Sequence, residues 1–349
     1  MAGAAHLSGP AGGDAFAFFR PWIVVSQEDL ERVDAREVVV RTLPGGNGQL
    51  AVLGLARVSA PPERLVAWTH AIADLKRGPF VLAIGRFSDP PVLEDLDGVY
   101  LDDRDLDAVR TCRSGDCALK LGEAEIASLR RAVGRAGAGW QAAVQREFRR
   151  ILLARVELYQ SLGLTALPPY ADARDPVRPQ EAFAAILASS PYLVQHLPDL
   201  AAQLESYPQV RSPGVESFFY WSKEVYNAAK PVVTVTHVHI LRSADRAGAP
   251  LVTVAGKQIF ASHYMNGALG LTVLMRGSAD GAHYLVYLNR SQLDMVGGFF
   301  GFLKRPVLEG RIRRDTPGIL HAVRSRLEGA APPKSPPGSG KDSSHAAVE

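Results

Sequence analysis

The residues best suited to chemistry lie between positions 215 and 294. Thr236-His237-Val238-His239 sits in a strand pattern, and residues two apart on a strand share a face, so His237 and His239 point the same way. His263 falls in a later strand pattern over 257–264, and His283 begins another. A His-x-His pair with a third histidine on a neighbouring strand suits zinc or iron, which makes His237, His239 and His263 one candidate metal set, with Glu216 as a possible carboxylate ligand. The same residues can also be read as an acid/base site, in which His237 or His263 moves a proton with Tyr264, Lys257 or Glu216 as partner. A plainer reading is preferred to both: neutral histidines on a sheet face satisfy neighbouring groups or orient a ligand headgroup. Thr234, Thr236, Val238 and Ile240 form the opposite, more apolar face, which sets the two histidines toward an outer, solvated side.

Aromatic residues are the second signal. In the run Phe218-Phe219-Tyr220-Trp221-Ser222-Lys223-Glu224, alternate rings can line a cavity, with core packing as the simpler account. Phe218, Tyr220 and Trp221 are therefore candidate ligand contacts, together with Phe299, Phe300 and Phe302 of the Gly-rich loop over 297–302. That loop lacks the following Lys-Ser/Thr of a phosphate cradle, and an apolar lid suits its phenylalanines better. Arg290 and Asp294 are spaced for a salt bridge that would fix it. Gly-x-Ser-x-Gly, a Rossmann glycine fingerprint and His-Glu-x-x-His are all absent, which argues against serine hydrolases and nucleotide-dependent enzymes, and no cofactor is expected.

Cys112 and Cys117 are the only cysteines and flank a Ser-Gly-Asp turn. Their spacing is wrong for a Cys-x-x-Cys redox pair and further metal ligands are not nearby, which leaves a small disulfide loop as the reading if the compartment is oxidising. Residues 1–14 carry neither a basic nor an apolar region, so they do not resemble a signal peptide and point to the cytoplasm. A real disulfide would point instead to the periplasm or secretion, and the two clues conflict. No stretch reaches the roughly 20 apolar residues a membrane-spanning helix needs. A net charge of +3, from 39 basic and 36 acidic residues, implies no nucleic-acid partner. The arginine clusters at 130–150 and 311–314 lack interleaved aromatics and read as solvated helix faces.

The elements that must position these residues follow from period and punctuation. Strands are predicted over 37–43, 49–58 and 80–87, with a helix between them that starts near Ser59-Ala60-Pro61-Pro62-Glu63 and carries Leu65, Trp68, Ile72 and Leu75 on one face. Helices are predicted over 123–131, 140–159, 181–187 and 198–207, a block without strand signal. Strands return over 215–223, 231–242, 251–264, 270–276 and 282–289, and their short gaps imply an antiparallel meander. A last helix is predicted from Asp315-Thr316-Pro317, with Ile319, Leu320, Val323 and Leu327 on its apolar face.

This order, with the phrase Ala56-Arg57-Val58-Ser59-Ala60-Pro61-Pro62-Glu63-Arg64-Leu65 and the helix from Thr316, resembles the START-like helix-grip superfamily of lipid-transfer and polyketide cyclase-like proteins. The resemblance implies an α+β fold, in which an antiparallel curved sheet wraps a long C-terminal helix around a cavity, with the helical block as an insertion. It divides the chain into an N-terminal extension (1–35), two parts of the helix-grip domain (36–110 and 211–328), the inserted block (111–210) and a disordered tail (329–349). It implies a hydrophobic small-molecule ligand, lipid or polyketide-like. The alternatives are a cyclase, dehydratase or metal-dependent enzyme on the same scaffold, or a protein partner docked on the helical block.

Overall fold

The computed structural model describes residues 14–46, 48–225, 230–244, 248–277, 281–294 and 301–333, the first four of the last segment by backbone alone. Eight strands form one antiparallel sheet: β1 (Val39–Leu43), β2 (Gln49–Val58), β3 (Val81–Arg86), β4 (Val215–Glu224), β5 (Val232–Arg242), β6 (Pro250–Ala261), β7 (Met265–Arg276) and β8 (His283–Leu293). Their spatial order is β1-β2-β8-β7-β6-β5-β4-β3. The run β4 to β8 is the expected meander. β2 closes against β8 and β3 against β4, so the connection between β2 and β3, made by α2 (Pro62–His70) and α3 (Ile72–Leu75), must cross the sheet. The chain ends its described fold in α10 (Gly301–Glu328).

Strand alternation gives the sheet two faces, and different helices cover them. On the first, here the grip face, Phe218, Val238, Ile240, Val252, Leu274 and Leu285 pack with Leu65 and Trp68 of α2 and Leu327 of α10. α10 also approaches β2 closely. A Cβ built on Gly54 would meet Leu320 Cδ1 well inside van der Waals distance, so with any larger residue there Leu320 would have to move or the helix to lift. The other face, the block face, carries Phe219, Val235, Phe260, Val273 and Val286, which join one core with Phe148, Leu152, Val156 and Tyr159 of the helical block. Each such fully buried large side chain contributes about 1.5–3 kcal/mol relative to exposure.

The block consists of α4 (Asp103–Val109), α5 (Glu123–Arg135), α6 (Trp140–Leu162), α7 (Pro179–Ala188), α8 (Pro191–His196) and α9 (Pro198–Ser206). Buried Arg155 of α6 ties it together with a two-pronged pair to Glu125 of α5, at 2.7 and 2.6 Å. Cys112 and Cys117 are disulfide-bonded, with Cα atoms 4.4 Å apart.

Several expectations need correction. α1 (Gln27–Asp34), α4 and α8 have no counterpart in the predicted elements, because a helix of six to eight residues offers too few turns for periodicity to register. The helix expected after Ser59 breaks at Ala71 into α2 and α3. α10 begins at Gly301 rather than near position 315 and continues through Pro306 and Pro317. Each proline there removes one backbone donor, a loss that tertiary contacts of the helix override. Residues 295–300, most of the expected lid, lie outside the described residues, and 301–302 open α10. The N-terminal extension belongs to the core in part: Phe18 and Phe19 are buried and meet Tyr192 of α8 at 5.7 and 5.5 Å between ring centres.

Candidate functional site

His237 and His239 do share a face, and it is opposite to that of Thr234, Thr236, Val238 and Ile240, as alternation requires. That face is the block face, however, and both histidines are fully buried rather than solvated. Tyr159 Oη lies 3.2 Å from His237 Nδ1, and Gln203 Nε2 lies 3.0 Å from His239 Nδ1. Phe219 stacks on His237 at 4.1 Å, and Tyr207 meets it edge-on at 4.5 Å. Lys257 completes the cluster, donating to the Leu204 carbonyl at 2.5 Å beneath the Phe183 ring. Burial pushes the His237 imidazole well below its ordinary range, His239 to about 3 and the Lys257 amine to about 7. These are bases held neutral, or nearly so, at a helix–sheet interface.

The third histidine is elsewhere. His263 places Nδ1 2.9 Å from the Ala118 carbonyl and Nε2 2.9 Å from an Asp105 carboxylate oxygen. Lys230 reaches the other Asp105 oxygen at 3.0 Å. Burial alone would raise the Asp105 pKa, but His263 and Lys230 outweigh it and hold the carboxyl below its usual value. Tyr264, with φ +62°, accepts the backbone N–H of Lys230 at its hydroxyl. Glu216 is exposed at the start of β4, paired with Arg242 and, at 3.1 Å, with His70. His237, His239, His263 and Glu216 therefore occupy three separate places, and among the described residues no group of three or more His, Cys, Asp or Glu side chains is arranged to hold a metal ion. The expected Arg290–Asp294 bridge is replaced by a 2.8 Å pair between Asp294 and Lys120.

The aromatic candidates divide between the two faces. Phe218 and Tyr220 lie on the grip face. Trp221 alternates to the block face and donates its indole N–H to the Asp95 carbonyl at 2.7 Å. Phe299 and Phe300 lie outside the described residues, and Phe302 is described by backbone only.

The grip face holds the better site. Its buried residues are apolar at the end covered by α2 and the last turns of α10, and polar toward the other end. There Tyr220, Thr236 and Gln258 succeed one another across β4, β5 and β6, and Asn289 and Ser291 follow on β8. Lys76, just past α3, reaches over this end to pair with Glu224 and to donate to Tyr220 Oη at 3.3 Å. Ser222 donates to Glu224 at 2.6 Å and lies 3.0 Å from Thr234 Oγ1, which fixes the carboxylate. Tyr287 and Asn289 are hydrogen-bonded to each other. Burial pushes the Tyr287 phenol up to about 12, with Lys76 and Asn289 acting against it, so it keeps its proton at neutral pH.

Exposure marks where this face is open. Val254, Gly256, Gly270, Thr272, Tyr287 and Asn289 are only half-buried although they sit on the three inner strands β6, β7 and β8. They are neighbours by register, with Val254 opposite Thr272, Gly256 opposite Gly270, Gly270 opposite Asn289 and Thr272 opposite Tyr287. The block-face residues between them, Ala255, Leu271, Val273 and Leu288, are buried completely or nearly so. The floor of the grip is thus an accessible strip between α10 and the α2–α3 crossing. Sequence reasoning missed its polar residues on β5 to β8, and Lys76 with them. Their signal is a polar residue at every second position, in Thr234-x-Thr236 and Tyr287-x-Asn289-x-Ser291. A separate open depression of about 390 Å³ lies at the far end of the sheet, bordered by Glu63, Arg242, Arg276 and His283.

No protein-family model matches the chain, and no curated protein matches it. A crystal structure of TTHA0849 from Thermus thermophilus aligns with 43% of this chain and 88% of that one, at 13% identity and a TM-score of 0.24, a likeness too slight to carry an argument. The antiparallel sheet with its C-terminal helix is nevertheless consistent with a helix-grip arrangement, and no described helix is long and apolar enough to cross a membrane.

Proposed function

We propose that the chain binds a hydrophobic small molecule, lipid or polyketide-like, on the grip face of a START-like scaffold. The observation that carries this is the half-buried floor on β6, β7 and β8. A sheet interior that stays accessible, between an apolar end and an oriented polar end, is shaped for an amphipathic guest. The enzyme reading, a cyclase or dehydratase, would draw on the same floor, where Tyr287, Glu224 and Lys76 supply the titratable groups, rather than on the histidines. The Cys112–Cys117 bridge supports an oxidising compartment, periplasmic or extracellular.

Native mass spectrometry of the purified full-length chain tests the reading. A co-purified or added apolar ligand should be retained by the natural chain and lost from Gly270→Leu. The Gly270 position leaves ordinary van der Waals room for a Cβ, with Asn289 Nδ2 3.7 Å away, so the larger side chain projects into the floor without breaking the strand. Equal retention by both would show that ligand sits elsewhere.

A further inference from the structure

Arg290 is a buried cation without a counter-ion, on the opposite face of the sheet from the grip. It alternates to the block face of β8, is 7% exposed and stands opposite Ala51 of β2. Among the described residues no carboxylate pairs with it, and the nearest in sequence, Asp294, is held by Lys120 at 2.8 Å. Its polar neighbour is Tyr192 of α8. That neutral hydroxyl can engage one guanidinium N–H but cancels none of the charge, and Arg290 Nε has no partner at all. Arginine is seldom buried unpaired, because a charge taken out of water needs an opposite one to offset the loss. Buried Arg155 shows the usual solution, in its two bonds to Glu125.

A second unmet group shares this face. Gln49 of β2 is 4% exposed and donates its amide N–H to the Ala185 carbonyl of α7 at 3.1 Å, which fixes the amide and leaves Oε1 buried without a donor. Gln49 pairs with Gln292 and Ala51 with Arg290, so Gln49 and Arg290 are diagonal neighbours, within reach of long side chains. Ala51 is too small to separate them. The place thus holds a cation that lacks an anion and, beside it, an acceptor that lacks a donor. Water would satisfy the acceptor and leave the charge unmatched.

We infer that this corner between β2, β8, α7 and α8 binds a small hydroxy acid, with its carboxylate on the Arg290 guanidinium and its hydroxyl donating to Gln49 Oε1. The planar guanidinium matches the two oxygens and the single charge of a carboxylate, whereas a halide offers one centre and a phosphate dianion brings a charge too many. The bound acid fastens α7 and α8 to the sheet, so stability reports its presence.

Thermal unfolding of the full chain in racemic lactate, propionate or chloride, at one ionic strength, tests this. Lactate should raise the midpoint by about 5 °C once it exceeds its dissociation constant about a hundredfold. Propionate, which differs by the hydroxyl alone, should bind about tenfold more weakly, and chloride should give no saturable rise. Arg290→Met should abolish the lactate response while the ligand-free variant unfolds no earlier than the natural chain, since a neutral side chain replaces an unmatched charge. Should that variant fail to fold, Arg290→Lys keeps the charge without the fork and should weaken lactate about tenfold. Gln49→Leu should bring lactate and propionate to equal affinity. A midpoint that lactate leaves in place, or shifts as much in the Arg290 variants as in the natural chain, would overturn the site. Lactate and propionate acting alike on the natural chain would overturn the hydroxy-acid assignment.

Discussion

His237 and Lys257 are register partners on β5 and β6, and both are fully buried under the helical block. Around them stand His239, Tyr159, Tyr207 and Gln203, with Arg211 and Glu205 near enough to act through space. Burial lowers all three bases, Lys257 to about 7 and His239 to about 3, against 10.5 and 6.5 for the free groups. The unfolded chain therefore binds more protons than the folded one between each pair of values, and stability rises with pH there. Folding should be tighter at pH 9 than at pH 7 by at most about 1.4 kcal/mol per pH unit from Lys257, and should weaken again as the histidine window is crossed from 6.5 downward. Urea midpoints at these pH values check it. Lys257→Met should flatten the upper slope, and an unchanged slope would mean that Lys257 reaches water.

Arg155 and Glu125 make the second test. The guanidinium is 1% exposed and lies over the Phe260 ring at 5.1 Å, so Glu125 is its charge partner in a place without solvent. Glu125→Ala leaves that charge buried alone and should cost about 3–5 kcal/mol in denaturant unfolding. The double variant Glu125→Leu with Arg155→Met should recover most of the loss. If it recovers none, packing rather than charge is what Arg155 supplies.

How much of this is legible in the sequence depends on the range of the interaction. β2 has the bounds its residues predict because its signal is local: an apolar run closed by Val58-Ser59-Ala60-Pro61. The meander is legible for the same reason. The shared face of His237 and His239 follows from period two, but its burial depends on α6, α7 and α9 docking on that face, and no strand pattern shows what a distant helix will cover. Thr234 and Thr236 share a face with Val238 and Ile240 and so read as part of the apolar set, although they line the polar end of the grip. Lys76 and Glu224 are 148 residues apart, and nothing in either neighbourhood announces the pair. Tyr287-x-Asn289-x-Ser291 is readable as a polar inner face, yet it carries no motif, and histidines on a strand offer a more familiar chemistry.

The disulfide closes a short hairpin between α4 and α5, with Gly115 at φ +82° and its N–H donated to the Ala171 carbonyl at 2.8 Å. Cys117 N–H likewise donates to the Asp172 carbonyl at 3.0 Å, so the hairpin is stitched to the segment that precedes α7. A loop this short restricts the unfolded chain only modestly, and its removal should cost about 2 kcal/mol. Thermal unfolding with and without reductant measures this, and Cys112→Ser with Cys117→Ser should match the reduced protein. A reduced protein as stable as the oxidised one would show that the backbone bonds at Ala171 and Asp172 suffice.

Gly54 and Leu320 give the last test, because their contact sets how closely α10 lies on the sheet beside the binding floor. Gly54 is on the grip face of β2, opposite Tyr287 of β8, and a Cβ there would collide with Leu320 Cδ1. Gly54→Ala must therefore move Leu320 or lift the helix, and overpacking of this kind costs about 1–3 kcal/mol. Leu320→Ala alone should also destabilise, by leaving a void over Gly54. In the double variant the new methyl occupies part of that void, so the two losses should sum to more than the loss of the pair by about 0.5–3 kcal/mol. Because α10 borders the strip that carries Tyr287 and Asn289, Gly54→Ala should in addition shift ligand affinity, whereas a surface control such as Arg313→Lys should not. Strict additivity of the two stability losses would mean that α10 adjusts freely, and the glycine would then have no part in shaping the grip.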